Sequence, residues 1–311
     1  MLVRIIKDWD YPDLMKQTPD CSGTWNKIHF TEDEVKECDF LIVLNRIPKD
    51  TTVVCNPANV FAVIQEPPVK EYKWLKRGYA SFNKIISPEK SLSPKIINDQ
   101  PALPWHIGKN YDELQAMQPF EKKMDISWVT SNLNERKGHQ NRLSFLNSIE
   151  GKLEFDLWGR GLNPIEDKWQ GIAPYKYSIA IENHRCNYYW TEKIADCFLS
   201  WTMPIYYGCK NILKYFPQES MIFIDIAKPH KALESIDKAI SDNTWEKNVA
   251  AIAHARKMII NEYQFFPLMS YYIKKYYKKG DKMKINFKEL PYLYTTMKKH
   301  NKIYNKIKSY L

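Results

Sequence analysis

The stretch IENHRCNYYWTEKIADCF, residues 181–198, gathers Glu182, Asn183, His184, Arg185, Tyr189, Glu192 and Lys193 between an apolar run and an amphipathic segment. Side chains of this polarity are costly to bury without partners, so their concentration in one place calls for a ligand or for one another. Ile194, Cys197, Phe198 and Trp201 recur at i, i+3, i+4 and i+7, which predicts an amphipathic helix from about Thr191 to Trp201. Thr191 suits the N-cap, so Glu192 and Lys193 fall in the first turn. A helix start presents free N–H groups and partial positive charge, a favourable seat for phosphate. Lys193 adds a full charge there, and Glu192 can accept hydrogen bonds from hydroxyls. The run YSIAI (177–181) reads as a strand that delivers Glu182 and Asn183 at its carboxyl end, where α/β sheets commonly hold ligands. The plainer alternative is that Glu192 complements the helix dipole and Lys193 is solvated.

A second acidic group stands in a comparable position. Glu66 follows the apolar run VFAVI (60–64) and precedes Pro67 and Pro68, which fix a turn and block a helix. A carboxylate held at a strand's end is well placed for cleft chemistry, and a surface turn is the alternative. With only 10 Gly in the chain, there is no G-x-G-x-x-G, G-x-x-x-x-G-K-S/T or H-E-x-x-H. A phosphate would therefore be gripped by side chains and helix ends.

The elements that must position these groups alternate. LVRII (2–6), FLIVLN (40–45), VFAVI (60–64) and FNKII (82–86) have buried-strand length, with short helices expected at EDEVKECD and KEYKWLKRG. A polar linker, 108–125, follows. The alternation restarts with ISWVT (126–130), a helix near 135–149, LEFDLWG (153–159), YSIAI, the helix after Thr191, MPIYYG (203–208) and MIFIDI (221–226). Helices over roughly 229–241 and 244–262 complete it. Such alternation argues for parallel α/β sheets. The chain divides into an α/β domain at 1–115, a second at 120–265 and a basic amphipathic helical tail at 266–311, with a ligand cleft between the domains.

The net charge of +10 is not spread evenly. Residues 270–311 carry 12 Lys against Asp281 and Glu289, which leaves 34 basic and 34 acidic residues in the rest. In the tail, Leu293, Met297, Ile303, Tyr304, Ile307 and Leu311 share a helical face opposite the Lys. That face docks on the body or meets an anionic membrane surface. A charge-neutral body argues against nucleic acid as partner. Six Cys show no metal-ligand spacing and read as reduced thiols, WHIG (105–108) as packing through Trp105. Neither a signal peptide nor a long apolar run is present, so a cytoplasmic location, with a peripheral place at the inner membrane face, is the expectation.

The order YKYSIAIENHRCNYYWTEKIADCFLSWTMPIYYG resembles the signature of family 10 glycosyltransferases, the α-1,3/4-fucosyltransferases, of the type without a membrane anchor. In it, E-N is Glu182-Asn183, Y-x-T-E-K runs from Tyr189 to Lys193, and P-[IV]-x-x-G runs from Pro204 to Gly208. SNLNERKGHQNRLSFLNSI (131–149) resembles the family's S-N…R…L segment, ESMIFIDI its S-F-I-x-[IV] strand, and VIQEPP its E-S-P segment. The resemblance implies a GT-B fold: two Rossmann-like domains facing a central cleft, the first binding the acceptor and the second the nucleotide sugar. It implies inverting transfer of L-fucose from GDP-β-L-fucose to an oligosaccharide or lipid-linked glycan, α-1,3 linked, in surface-glycan or protein glycosylation. Glu66 becomes the general base. Arg142, with Arg136 as the alternative, and Lys193 would stabilise the GDP leaving group. Asn183, Tyr189 and Glu192 would bond ribose or fucose hydroxyls, with no obligatory cofactor or divalent metal. Two departures, Ile181 and His184 for the family's Phe and Ser, put His184 and Arg185 beside the donor or acceptor. They leave open a different nucleotide-sugar donor or a non-catalytic glycan-binding protein.

Overall fold

The computed structural model describes residues 1–292. The N-terminal sheet contains β1 (Leu2–Ile6), β2 (Thr24–Trp25), β3 (Ile28–Thr31) and β4 (Phe40–Leu44); β5 (Thr51–Cys55) stands apart from it. It continues with β6 (Val60–Val63), β7 (Lys84–Ser87) and β8 (Ile96–Asn98), in the order β2-β3-β1-β4-β6-β7-β8. Every pairing is parallel except β2 with β3. β4 reads FLIVL without a polar break because both its faces are covered: Phe40, Ile42 and Leu44 enter one core, Leu41 and Val43 the other.

Helix α1 (Tyr111–Ala116) lies inside the stretch expected to be a linker, held by a capping box between Asn110 and Glu113. The second sheet follows with β9 (Met124–Val129), α2 (Lys137–Ile149), β10 (Asp156–Trp158), α3 (Lys168–Ile172), β11 (Tyr175–Ile181), α4 (Glu192–Leu199), β12 (Met203–Tyr207) and β13 (Ile222–Phe223). Its order is β10-β9-β11-β12-β13, and all pairings are parallel. Helices α5 (Pro229–Ser241), α6 (Thr244–Lys247) and α7 (Val249–Met258) cover it. Two parallel sheets whose strand ends face a shared cleft form the GT-B architecture. No helix among the described residues is long and apolar enough to cross a membrane.

Two expectations need correcting. EDEVKECD is not helical; it is irregular chain with one bridge, Glu37 to Val54. Residues 266–292 are not a separate basic helical tail but belong to the first domain. Helix α8 (Phe265–Tyr276) returns to the first domain and buries Phe265, Phe266, Met269 and Ile273 in its core. β14 (Met283–Phe287) then pairs antiparallel with β5. Lys282 and Lys288, counted above as tail charge, meet Asp39 and Asp50, each at 2.7 Å. The amphipathic face from Leu293 to Leu311 lies outside the described residues.

Candidate active site

β11 ends at Ile181, and Glu182 turns inward immediately after it. Its side chain is fully buried and accepts from the Thr191 N–H at 2.8 Å and from Thr191 Oγ1 at 2.7 Å. Lys193 Nζ lies 3.7 Å away. Burial pushes the Glu182 carboxyl up to about 7, against the pull of Lys193. Glu182 therefore ties the strand's end to the start of α4, while Thr191 Oγ1 caps the Lys193 N–H. Gly208 has a packing reason in this turn: a Cβ there would lie 2.4 Å from Glu182 Cγ and 2.5 Å from the Tyr206 hydroxyl oxygen. The loop between them is pinned by the Asn211 side chain, which accepts from the Tyr188 N–H at 2.7 Å. Tyr188 itself is left-handed, at φ 65°.

Asn183 sits where three cavities meet, of about 540, 290 and 270 Å³, and lines all of them. The largest runs into the second domain, past Arg142, Glu192 and Lys193. The 270 Å³ space spans the two domains, with Glu66, Trp9 and Tyr11 facing Tyr189, Glu192 and Lys193. The 290 Å³ space lies beyond Glu66 and is walled by Glu182, His184, Arg185, Tyr72 and Arg136. Every residue singled out in the sequence thus lines one continuous set of cavities: Glu66, Arg142, Glu182, Asn183, His184, Arg185, Tyr189, Glu192 and Lys193.

Their roles in the fold differ. Arg142 is buried on α2 and faces inward, donating to Asn183 Oδ1 at 3.0 Å and to the Ser131 carbonyl and hydroxyl oxygens at 3.2 Å. Its contribution is first to orient Asn183. Burial lowers its pKa, with Glu192 opposing. Lys193 Nζ pairs with Glu192 at 3.0 Å. Although burial works against the charge, Lys193 and Lys168 hold the Glu192 carboxyl well below the usual range. Arg185 is exposed and stacks over Tyr207, 5.3 Å from the ring centroid. Glu66 is half-buried three residues past β6. Burial raises its carboxyl above the ordinary value, against the Tyr72 hydroxyl, Arg136 and Lys193.

Several residues of the cleft escaped the sequence reading. Lys168, at the start of α3, meets Asp196 at 3.1 Å and Glu192 at 3.7 Å. Asp196 is fully buried, pushed up to about 6 by that burial, and accepts from the His106 N–H at 2.9 Å. The His106 imidazole is lowered to about 4 by burial, so it lines the cleft uncharged. The signal for Asp196 was present: it is one helical turn after Glu192, on the same face of α4. Nothing in the sequence marked Lys168 or Tyr72, because Lys168 meets Glu192 and Asp196, and Tyr72 meets Arg136, on other elements.

Residues 119–248 match the family described as glycosyltransferase family 10 (fucosyltransferase), C-terminal part. The matched residues run from the start of the second domain to α6 and make up less than half of the chain. The GDP-fucose protein O-fucosyltransferase 3 of Danio rerio is 34% identical over 82 residues, 26% of this chain and 18% of that protein. The 4-galactosyl-N-acetylglucosaminide 3-alpha-L-fucosyltransferase 9 of Mus musculus is 28% identical over 143 residues, 42% of this chain and 39% of its own length. The chain thus spans less than half the length of these curated relatives. A crystal structure of an alpha1,3-fucosyltransferase superposes at a TM-score of 0.48 with 13% identity, covering 85% of this chain and 92% of the other.

Proposed function

We propose that this protein is an inverting glycosyltransferase that moves L-fucose from GDP-β-L-fucose to a hydroxyl of a glycan acceptor. The observation that carries the reading is Glu66 facing Asn183, Glu192 and Lys193 across one interdomain space, with the last three inside the segment that matches the family 10 model. Glu66 takes the proton of the acceptor hydroxyl as its oxygen attacks the anomeric carbon. The bond from that carbon to the β-phosphate oxygen breaks, its electron pair leaves with GDP, and the configuration inverts. A positioned base of this kind supplies roughly 10²–10⁴-fold. A carboxyl raised by burial is a stronger base than an exposed glutamate.

The departing diphosphate gains negative charge as the bond breaks. Lys193 and the N–H groups at the start of α4 meet it, together with Arg142 across the same cavity. Glu192, kept ionised, accepts from ribose hydroxyls, and Asn183, fixed by Arg142, bonds donor hydroxyls beside Tyr189. This reading needs no divalent metal, because cationic side chains neutralise the leaving group. The acceptor, an oligosaccharide or lipid-linked glycan, enters from the first domain. The test is release of GDP from GDP-fucose with a panel of glycan acceptors, with and without a chelator. Turnover that survives the chelator and is lost in Glu66→Gln is expected; turnover that Glu66→Gln leaves intact refutes the role of the base.

A further inference from the structure

Tyr72 stands six residues after Glu66, separated from it by the Pro67-Pro68 turn. The 3₁₀ segment Lys70–Ser81 folds its buried side chain back over the carboxyl. Its hydroxyl lies beside the Glu66 carboxyl, and both side chains wall the same two cavities. From the opposite domain, Arg136, the residue just before α2, donates through Nη1 to the same hydroxyl oxygen. Its guanidinium also lies over the ring, 4.7 Å from the centroid. The phenol has one proton and can both accept and donate. With Arg136 donating to the phenol oxygen, the phenol proton is left to be offered to the neighbouring Glu66 carboxylate, so that Arg136, Tyr72 and Glu66 form a directed relay.

We propose that Tyr72 is a positioning residue for Glu66, and that Arg136, reaching across the cleft, completes the relay so that the base is set by the juxtaposition of the two domains. The proposal rests on the reading of Glu66 as the general base. Three features of the site support it. All three side chains wall the same 290 Å³ space, so the relay sits beside the position an acceptor hydroxyl must take. The link joins residues 64 positions apart in the chain, on two different domains. A hydrogen bond donated to a carboxylate favours its ionised form, and Tyr72 thus opposes the burial that raises Glu66. A static staple between domains would need neither the hydroxyl proton nor its direction.

Tyr72→Phe separates these roles, because it keeps the ring under Arg136 and removes only the hydroxyl. The assay is GDP release from GDP-fucose, with water or a 4-galactosyl-N-acetylglucosaminide as acceptor, across pH. GDP affinity measured by calorimetry reports whether the variant folds. The expected result for Tyr72→Phe is at least a tenfold fall in kcat, with GDP affinity within twofold of the parent. The acidic limb of the kcat profile moves to higher pH, because the carboxylate has lost a donor. Arg136→Gln moves the limb in the same direction by less. Adding Tyr72→Phe to Glu66→Gln costs nothing further, since both act through one group. If Glu66→Gln destroys turnover while Tyr72→Phe keeps the parent rate and limb, the relay is refuted and the base stands. If Glu66→Gln leaves turnover unchanged, the reading of the base fails and the relay with it. If Tyr72→Phe abolishes GDP binding, Tyr72 is a structural staple and the proposal is overturned.

Discussion

Glu182→Gln tests how the strand's end and α4 are joined. The Glu182 side chain is fully buried, its carboxyl pushed up to about 7 from an ordinary 4.5. A raised carboxyl pKa means that the folded protein binds a proton more tightly than the unfolded chain. The stability this provides is complete below about pH 4.5 and is lost as the pH rises through 7. A shift of two to three units at about 1.4 kcal/mol each makes the loss about 3 kcal/mol. Glutamine cannot ionise and still offers one oxygen to the Thr191 N–H. Urea unfolding of parent and variant at pH 5, 6, 7 and 8, followed by tryptophan fluorescence, isolates Glu182 from every other titrating group. The parent should lose about 3 kcal/mol relative to Glu182→Gln between pH 5 and pH 8. A difference that stays constant over that range refutes the reasoning: it would mean that Lys193, at 3.7 Å, outweighs burial.

Gly138→Ala would put a Cβ 1.9 Å from the Asn183 carbonyl oxygen, so the site loop or α2 must move. A loss of about 1–3 kcal/mol in urea unfolding is expected, together with weaker GDP binding by calorimetry. Lys122 is buried and its Nζ serves the Ala173 carbonyl at 2.5 Å, the Ser200 carbonyl at 2.6 Å and Thr202 Oγ1 at 3.1 Å. Lys122→Met leaves three acceptors without that donor and should cost about 2–4 kcal/mol by the same unfolding assay. With Glu66 as the proposed base, the rate of GDP-fucose turnover should fall as the pH drops through the Glu66 pKa, because the carboxyl must be ionised to take the proton. Burial places that limb above the ordinary glutamate value of 4.5, as a pH–rate profile would show.

Much of the second domain was legible because its signals are local. The apolar run before Glu182 and the i, i+3, i+4 spacing after Thr191 fix a strand and a helix in succession. The polar residues between them must then fall at the sheet's carboxyl end. Thr191 caps α4 as its position predicts, and its hydroxyl meets Glu182 for a reason the sequence only implied. The first domain was read less completely. β2 and β8 are only two and three residues long, and β5 pairs with β14, near the end of the described residues. EDEVKECD has helical composition, but its Cys38 N–H bonds the Val54 carbonyl, so tertiary pairing overrides propensity. The return of α8 and β14 to the first domain was hidden behind the Lys count, because charge excess says nothing about which carboxylates will answer it. Tyr72 and Lys168 were invisible for the same reason: their chemistry is made by groups from other elements.

In the proposed donor site, the cleft around Asn183 holds a guanine nucleotide sugar with its diphosphate against Lys193. Calorimetric titration of the parent and Lys193→Ala with GDP, GDP-fucose and UDP tests it most directly. GDP and GDP-fucose should bind, UDP should bind much more weakly, and Lys193→Ala should weaken GDP at least tenfold, a loss of about 1.4 kcal/mol or more. Absence of guanine-nucleotide binding, or equal affinity for GDP in parent and variant, would contradict it.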